Sequence, residues 1–307
     1  MKVLVIAQQG QIRDALEKQL TIRDRAYLSV GPERFEEVLS QGAGSALSTP
    51  PGTGVVVNAA SLEGVEQQAD EELIDSLAML AQACDRAGVP LIHISSCQVF
   101  DGLEGGVHRE SDPPVPTSRE GALLLRLEEL VRGACSRYII LRVGPLFSSM
   151  GDNLLTRLLQ QFEEASVLSL SDSGDSCPLH SSDLARVVSA VIDQLSCEAE
   201  AWGTYHYSSA DYVSYFQFAE VVQGVVGQYR PDIGKAVTLQ ARDEVDTAWL
   251  RPLLNCEKIL NTFGIKQLPW RAFIPPTVKS YYNLEFIQEE PLLTQSIQTV
   301  QKENFDG

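Results

Sequence analysis

Apolar residues along this chain come in short solid runs separated by stretches with helical spacing, the alternation that builds an α/β protein around a parallel sheet. The first run, Lys2–Ile6, stops before Gly10 and is followed by Ile12, Leu16 and Leu20, one face of an amphipathic helix. A second short strand is expected at Tyr27–Val30. Residues 42–54, rich in Gly, Ser, Thr and Pro, read as loop, and residues 54–60 as a third buried strand. Leu73, Leu77, Leu80 and Ala81 then mark the inner face of a helix over 71–87, closed by Gly88 where a helix usually ends. A fourth run, 90–94, spills into Ser95, Ser96 and Cys97, and the next helix carries Leu123, Leu127 and Leu130 on one face. Residues 138–141 form another buried strand. Beyond Asn283 the periodicity fades into Gln- and Glu-rich sequence, so 284–307 is expected to be a loosely held tail.

Charge narrows the partners. The 307 residues hold 24 Lys and Arg against 41 Asp and Glu, a net charge of −17, which repels phosphate backbones and anionic membranes. No basic cluster offsets it, so neither nucleic acid nor a membrane is an expected partner. With 44% hydrophobic residues the chain can pack a core without staples. Its cysteines, Cys84, Cys97, Cys135, Cys177, Cys197 and Cys256, show no CxxC or Cys/His ligand spacing, so no metal site is expected and a reducing cytoplasmic location fits. The apolar run after Met1 and Lys2 is too short for a secretory leader.

Candidate chemistry sits where the fourth strand ends. In open parallel sheets the strand tips carry the site, and here the tip reads Ser95, Ser96, Cys97, Gln98, Val99, Phe100, Asp101, Gly102, followed by a proline-led helix. This pattern resembles the extended short-chain dehydrogenase/reductases, most closely the dTDP-4-dehydrorhamnose reductase family. The resemblance implies a catalytic Ser at Ser96 and, twenty-four residues on, a catalytic Tyr and then a Lys four positions later; those positions hold Glu120 and Leu124. Gly121 and Glu128 match the family pattern around them. In such reductases the Tyr hydroxyl gives the substrate oxygen its proton and the Lys lowers the Tyr pKa and holds the nicotinamide ribose. Leu124 can do neither. Glu120, with no cation beside it, would be ionised at neutral pH and no acid; the favoured reading is a solvated first-turn helix residue stabilised by the dipole. Cys97 and Gln98 stand where the family has Asp and Tyr.

The family's dinucleotide turn, GxxGQxG, reads Ala7, Gln8, Gln9, Gly10, Gln11, Ile12, Arg13, so Gly10 and Gln11 remain as cofactor contacts and Arg13 replaces the last glycine. Two readings of Arg13 are open. It either fills the pyrophosphate crevice and blocks binding, the favoured expectation, or reaches outward to a phosphate. Val57, Asn58, Ala59 and Ala60 match the family's VNAA, whose small residues let a cofactor lie against the strand end. The second strand ends Gly31, Pro32, Glu33, Arg34, which leaves NAD and NADP equally open. Asn153, in a segment like the family's GNNF, is either a nucleotide-sugar contact or a helix cap. Pro145 stands close to where the family has a sugar-packing Trp, and Arg251 opens its RPxN segment. His206, on the family's GxYH strand, reads as a core histidine.

The implied fold is α/β: a Rossmann-like doubly wound parallel sheet with a smaller C-terminal α/β lobe. Its parts are expected at 1–150, with a returning segment near 178–210, and at 151–280, followed by the tail. The expected function is that of a sugar-nucleotide-binding member of this family that has lost reductase chemistry and serves as a ligand-binding or regulatory protein. It takes NADP or NAD as cofactor or none, with a regulatory protein partner or a homodimer. The alternatives are a working NADP-dependent reductase of a nucleotide-sugar ketone, or a different reaction at Cys97, whose thiol would need a nearby base or cation.

Overall fold

The structure, a computed structural model, describes residues 1–40, 49–61, 70–100, 106–246 and 249–283; most of the loop expected at 42–54 and the tail expected at 284–307 lie outside the described residues. The first half runs β1 (Lys2–Ile6), α1 (Gln11–Ile22), β2 (Tyr27–Val30), α2 (Phe35–Ser40), β3 (Thr53–Asn58), α3 (Asp70–Ala87), β4 (Leu91–Ser96), β5 (Val107–His108), α4 (Arg119–Ala134) and β6 (Tyr138–Val143). Then come β7 (Leu146–Phe147), α5 (Leu154–Glu164), β8 (Val167–Ser171), β9 (Leu179–His180), α6 (Ser181–Ser196), β10 (Gly203–Tyr207) and α7 (Tyr215–Tyr229). The chain closes with α8 (Pro231–Gly234), β11 (Thr238–Arg242), β12 (Leu253–Leu254), α9 (Glu257–Phe263) and α10 (Ile274–Tyr281).

Six strands form one parallel sheet in the order β10-β6-β4-β3-β1-β2. Its strands are mostly apolar because helices cover both faces, the buried polar exceptions being Asn58, His93, Ser95, Ser96, Arg142 and His206. Val3, Val5, Val55, Val57, Ile92, Ile94, Ile139 and Leu141 pack with α1 and α6. Leu4, Ile6, Val56, Leu91 and Ile140 pack with α3 and α4. From β1 the chain steps one way to β2 and then returns past β1 to β3, so the strand order reverses beside β1 and leaves a crevice over the strand tips. A third apolar cluster, with Phe147, Phe218, Trp249, Trp270 and Val278, joins α5, α7 and α10.

Side chains finish both lateral strands. Along β2 the carbonyls of Ala26, just before it, and Val30 accept from Val3 N and Ala7 N, so Ser29 O faces outward, and there it accepts from Arg13 Nη2 at 3.4 Å. On β10, Lys258 Nζ donates to Thr204 O at 2.7 Å and Glu110 Oε1 accepts from His206 N at 3.0 Å.

Candidate functional site

Ser96 is the last residue of β4, and its hydroxyl accepts from Gln98 N at 3.3 Å, starting the tight turn Cys97–Val99. The helix α4 is pressed against this turn at Gly121: any Cβ there would collide with the Gln98 carbonyl. That close approach, with Ser118 capping Gly121 N at 2.9 Å, fixes the register of α4 on the strand tip. Leu124 is therefore 4% exposed and packs in the same core as Cys97, Val99 and Phe100. Glu120 lies exposed on the first turn.

One residue before Ser96, the polarity turns inward. Ser95 Oγ donates to Glu128 Oε1 at 2.7 Å, and Arg142 donates from Nε and Nη2 to Glu128 at 2.9 and 2.7 Å. Arg132 reaches the same carboxylate at 2.5 Å. Glu128 is 0% and Arg142 2% exposed, so this pair depends on its complete set of hydrogen bonds. His206 is an interior histidine: Nδ1 meets His108 O at 3.2 Å, and burial beside Arg142 pushes its pKa down to about 3. His93, wholly buried against Asn58, is pushed down to about 4. Both are neutral structural groups.

A cavity of about 250 Å³ opens between the tips of β4 and β6 and the start of α5. It gathers Gln11, Ser96, Cys97, Gln98, Asn153 and Arg251 from the residues expected at the site, and Arg157, Ser176 and Trp249 in addition. It does not reach Gly10, Arg13, Asn58, Ala59, Ala60, Glu120 or Leu124. Asp152 chelates Arg157 at its rim. The indole of Trp249 is stacked on Tyr215 at 4.7 Å and donates to Val213 O at 3.1 Å, which fixes an aromatic wall. No local pattern announced this wall, because Trp249 lies on a different element from Pro145, where an aromatic was sought. Two polar atoms, Gln11 Oε1 and Ser176 Oγ, are buried without a hydrogen-bond partner among the described residues, in the manner of groups that engage a ligand or water.

Asn153 and Cys97 resolve readings left open, and the expectations for Arg13 and Asn58 need correction. Asn153 is a helix cap: Oδ1 accepts from Leu155 N at 3.0 Å and Thr156 N at 3.3 Å, and Nδ2 donates to Met150 O at 2.9 Å. Its amide is occupied by α5 even though it borders the cavity. The Cys97 thiol is no nucleophile, since burial, only partly opposed by Ser96 and Arg251, pushes its pKa up to about 11. Arg13 stays out of the crevice: its guanidinium lies along the flank of α1, bonded to Glu17 Oε1 at 2.8 Å and to the outer carbonyl of β2. Asn58 is also turned inward, meeting His93 Nδ1 at 3.1 Å and Ala60 N at 3.3 Å, because its position on β3 faces the α3 side.

The crevice keeps features that suit a dinucleotide. Gly10 precedes α1 without any capping side-chain hydrogen bond, so the first amides of a twelve-residue helix keep the donors that suit an anion. Gln11 adds the leftover acceptor, and the guanidinium of Arg13, held on Glu17, leaves Gly10 uncovered. Among the described residues no group of three or more metal-ligating side chains occurs, and no helix is long and apolar enough to cross a membrane.

A parallel sheet of this order, with a glycine turn into α1 and a cavity at the tips of β4 and β6, defines a Rossmann-type dinucleotide-binding architecture. Solved structures share it. A dTDP-4-dehydrorhamnose reductase from Clostridium acetobutylicum superposes with a TM-score of 0.74 at 21% identity, covering 92% of this chain and 100% of that one. That from Bacillus anthracis, solved in complex with NADP, gives 0.69 at 20% identity, covering 91% and 99%. In sequence, the dTDP-4-dehydrorhamnose reductase of Sinorhizobium fredii is 27% identical over 281 residues, 88% of this chain and 94% of the relative. A probable low-salt glycan biosynthesis reductase of Haloferax volcanii is 30% identical over 193 residues, 60% of each chain. The RmlD substrate binding domain model matches residues 1–283, and the chain belongs to that family.

Proposed function

We propose that this protein binds a nicotinamide dinucleotide and a nucleotide sugar in the manner of the dTDP-4-dehydrorhamnose reductases but performs no hydride transfer, and acts as a ligand-responsive or regulatory member of the family. The observation that carries the reading is the surroundings of Ser96. The positions that should bring an acid and a cation to it hold an exposed Glu120 and a buried Leu124, and no Tyr, Lys or His lines the described cavity. Burial pushes the Cys97 thiol up to about 11, so it offers neither a base nor a thiolate at neutral pH. When bound, the dinucleotide would supply the hydride; among the described residues, positions 120 and 124 do not bring to Ser96 the Tyr and Lys that would protonate the substrate oxygen.

The dinucleotide half of the reading rests on the uncapped start of α1 and on Gln11. The sugar-nucleotide half rests on the cavity between the lobes expected at 1–150, with its returning segment near 178–210, and at 151–280. Trp249 supplies an apolar wall there, Arg251 and the Asp152-paired Arg157 supply hydrogen-bond donors, and Ser176 a leftover hydroxyl. A cytoplasmic location and a protein partner or second copy as the recipient of the signal complete the proposal.

The test pairs binding with turnover. Calorimetric titration with NADH, NADPH and a dTDP-sugar should register binding, while nicotinamide absorbance in the presence of dTDP-4-dehydrorhamnose should not change above the uncatalysed background. Turnover at an ordinary enzymatic rate, on the order of 1 per second or faster, refutes the reading.

A further inference from the structure

The charged side chains that line the described cavity are Asp152, Arg157 and Arg251, so Asp152 is the one acid among them. Arg157 donates through Nε to Asp152 Oδ1 and through Nη2 to Asp152 Oδ2 at 2.6 Å, two parallel bonds of the kind a guanidinium also makes to a phosphate. The two residues meet across the start of α5, and the chain between them is pinned: Thr156 Oγ1 donates to Gly151 O at 2.8 Å, and Asn153 caps the helix. The backbone therefore keeps Asp152 within reach of Arg157, and rotation of the side chains is what can part them. That rotation is open, because both are exposed, the acid by 72% and the guanidinium by 63%. Hydrogen bonding to Arg157 holds the Asp152 carboxyl below its ordinary range, so it is anionic at neutral pH.

We infer that Asp152 is a built-in competitor at the rim of this cavity: its carboxylate holds the Arg157 donors that the diphosphate of a nucleotide sugar would take, and the ligand engages Arg157 only by displacing it. A carboxylate and a phosphate seek the same pair of donors, and the Nε–Nη2 edge of one guanidinium serves a single partner at a time. An exposed ion pair is weak, so the competition lowers affinity severalfold and does not close the site. A site that loosens its own hold on an anion responds over a higher range of ligand concentration, which suits a ligand-responsive protein. The inference rests on the reading that the cavity binds a nucleotide sugar.

Dissociation constants for dTDP-glucose are measured by calorimetric titration of the full chain as wild type, Asp152→Asn, Arg157→Leu and the double variant. Both residues are exposed, so neither substitution disturbs the core. Asp152→Asn should tighten binding by about three- to tenfold and Arg157→Leu weaken it by a similar factor, while Asp152→Asn made in the Arg157→Leu background should change it by less than about twofold. Unchanged or weaker binding by Asp152→Asn overturns the competition, and so does unchanged binding by Arg157→Leu. A gain that persists without Arg157 overturns it too, since the acid would then act without the pair. Binding of dTDP-glucose by none of the four chains, each still unfolding cooperatively in urea, overturns the nucleotide-sugar reading itself and this inference with it.

Discussion

Replacing Glu128 by Gln keeps the shape of the side chain and removes its charge, leaving Arg142 at 2% exposure with no anion to balance it. Three donors now meet that carboxylate: Ser95 at 2.7 Å, Arg142 through two nitrogens at 2.9 and 2.7 Å, and Arg132 at 2.5 Å. Breaking one side of such a buried pair costs about 3–5 kcal/mol. At roughly 2 °C per kcal/mol for a chain of this size, the midpoint of thermal unfolding should fall by about 6–10 °C. Urea unfolding followed by tryptophan emission gives the free energy directly. The companion Glu128→Leu/Arg142→Met removes both charges and replaces them with apolar volume, and should return to within about 2 kcal/mol of wild type. Acid should act in the same direction as Glu128→Gln. Burial pushes the Glu128 carboxyl up, but Arg142, Ser95 and Arg132 more than offset it and hold it below its ordinary value. The folded pKa is thus depressed, and the stability from this group, present above the ordinary carboxyl range, is lost as pH falls through the folded value. A Glu128→Gln cost under about 1 kcal/mol, or a double variant as weak as the single, would show that the pair is not under the strain of burial assigned to it.

Restoring the family residues as Glu120→Tyr/Leu124→Lys should not produce reduction of dTDP-4-dehydrorhamnose, because the ammonium introduced in place of Leu124 would have to sit in a core position only 4% exposed; robust turnover by that variant refutes this. Arg13→Gly should change NADH affinity by less than about threefold while costing about 1 kcal/mol in helix stability, since the guanidinium lies on Glu17 and β2; a large affinity change in a paired titration would place the side chain in the crevice after all. Asn153→Ala should cost about 1–2 kcal/mol in urea unfolding and leave dTDP-sugar affinity nearly unchanged, as expected of a cap. Lowering pH from 7 to 5 should destabilise the fold. Burial holds His93 and His180 at about 4 and His206 at about 3, so each is neutral when folded and gains a proton on unfolding below about 6.5. Urea midpoints that do not drop between those pH values refute the assignment.

How much could be read from sequence followed from what kind of force sets each feature. The strands at Lys2–Ile6 and Tyr27–Val30 and the helix ending at Ala87 were legible because burial on two faces writes a solid apolar run, and burial on one writes a helical period. Positions 120 and 124 were legible because Gly121 locks α4 to the strand tip, so counting from Ser96 stays in register. Long and polar side chains were not. Arg13 had two physically sound destinations, and the one it takes depends on Glu17 and on a carbonyl sixteen residues away. Asn153 was a cap or a ligand contact until Thr156 completed a capping box with it. Trp249 and Arg157 reach the cavity through tertiary packing alone, and no local pattern marks them.

The side chains that cover the lateral strands of the sheet become available at different moments of synthesis. Arg13 precedes Ser29, so the β2 border can close as soon as that strand leaves the ribosome. Thr204 must wait for Lys258, fifty-four residues later, although Glu110 is already waiting for His206. A nascent or truncated chain that ends between those points carries a half-guarded β10, open to pairing with a stray strand through one of its outward groups. The short helix α9 therefore serves the sheet as a late-arriving guard, and a chain cut before it should be the aggregation-prone form of this protein.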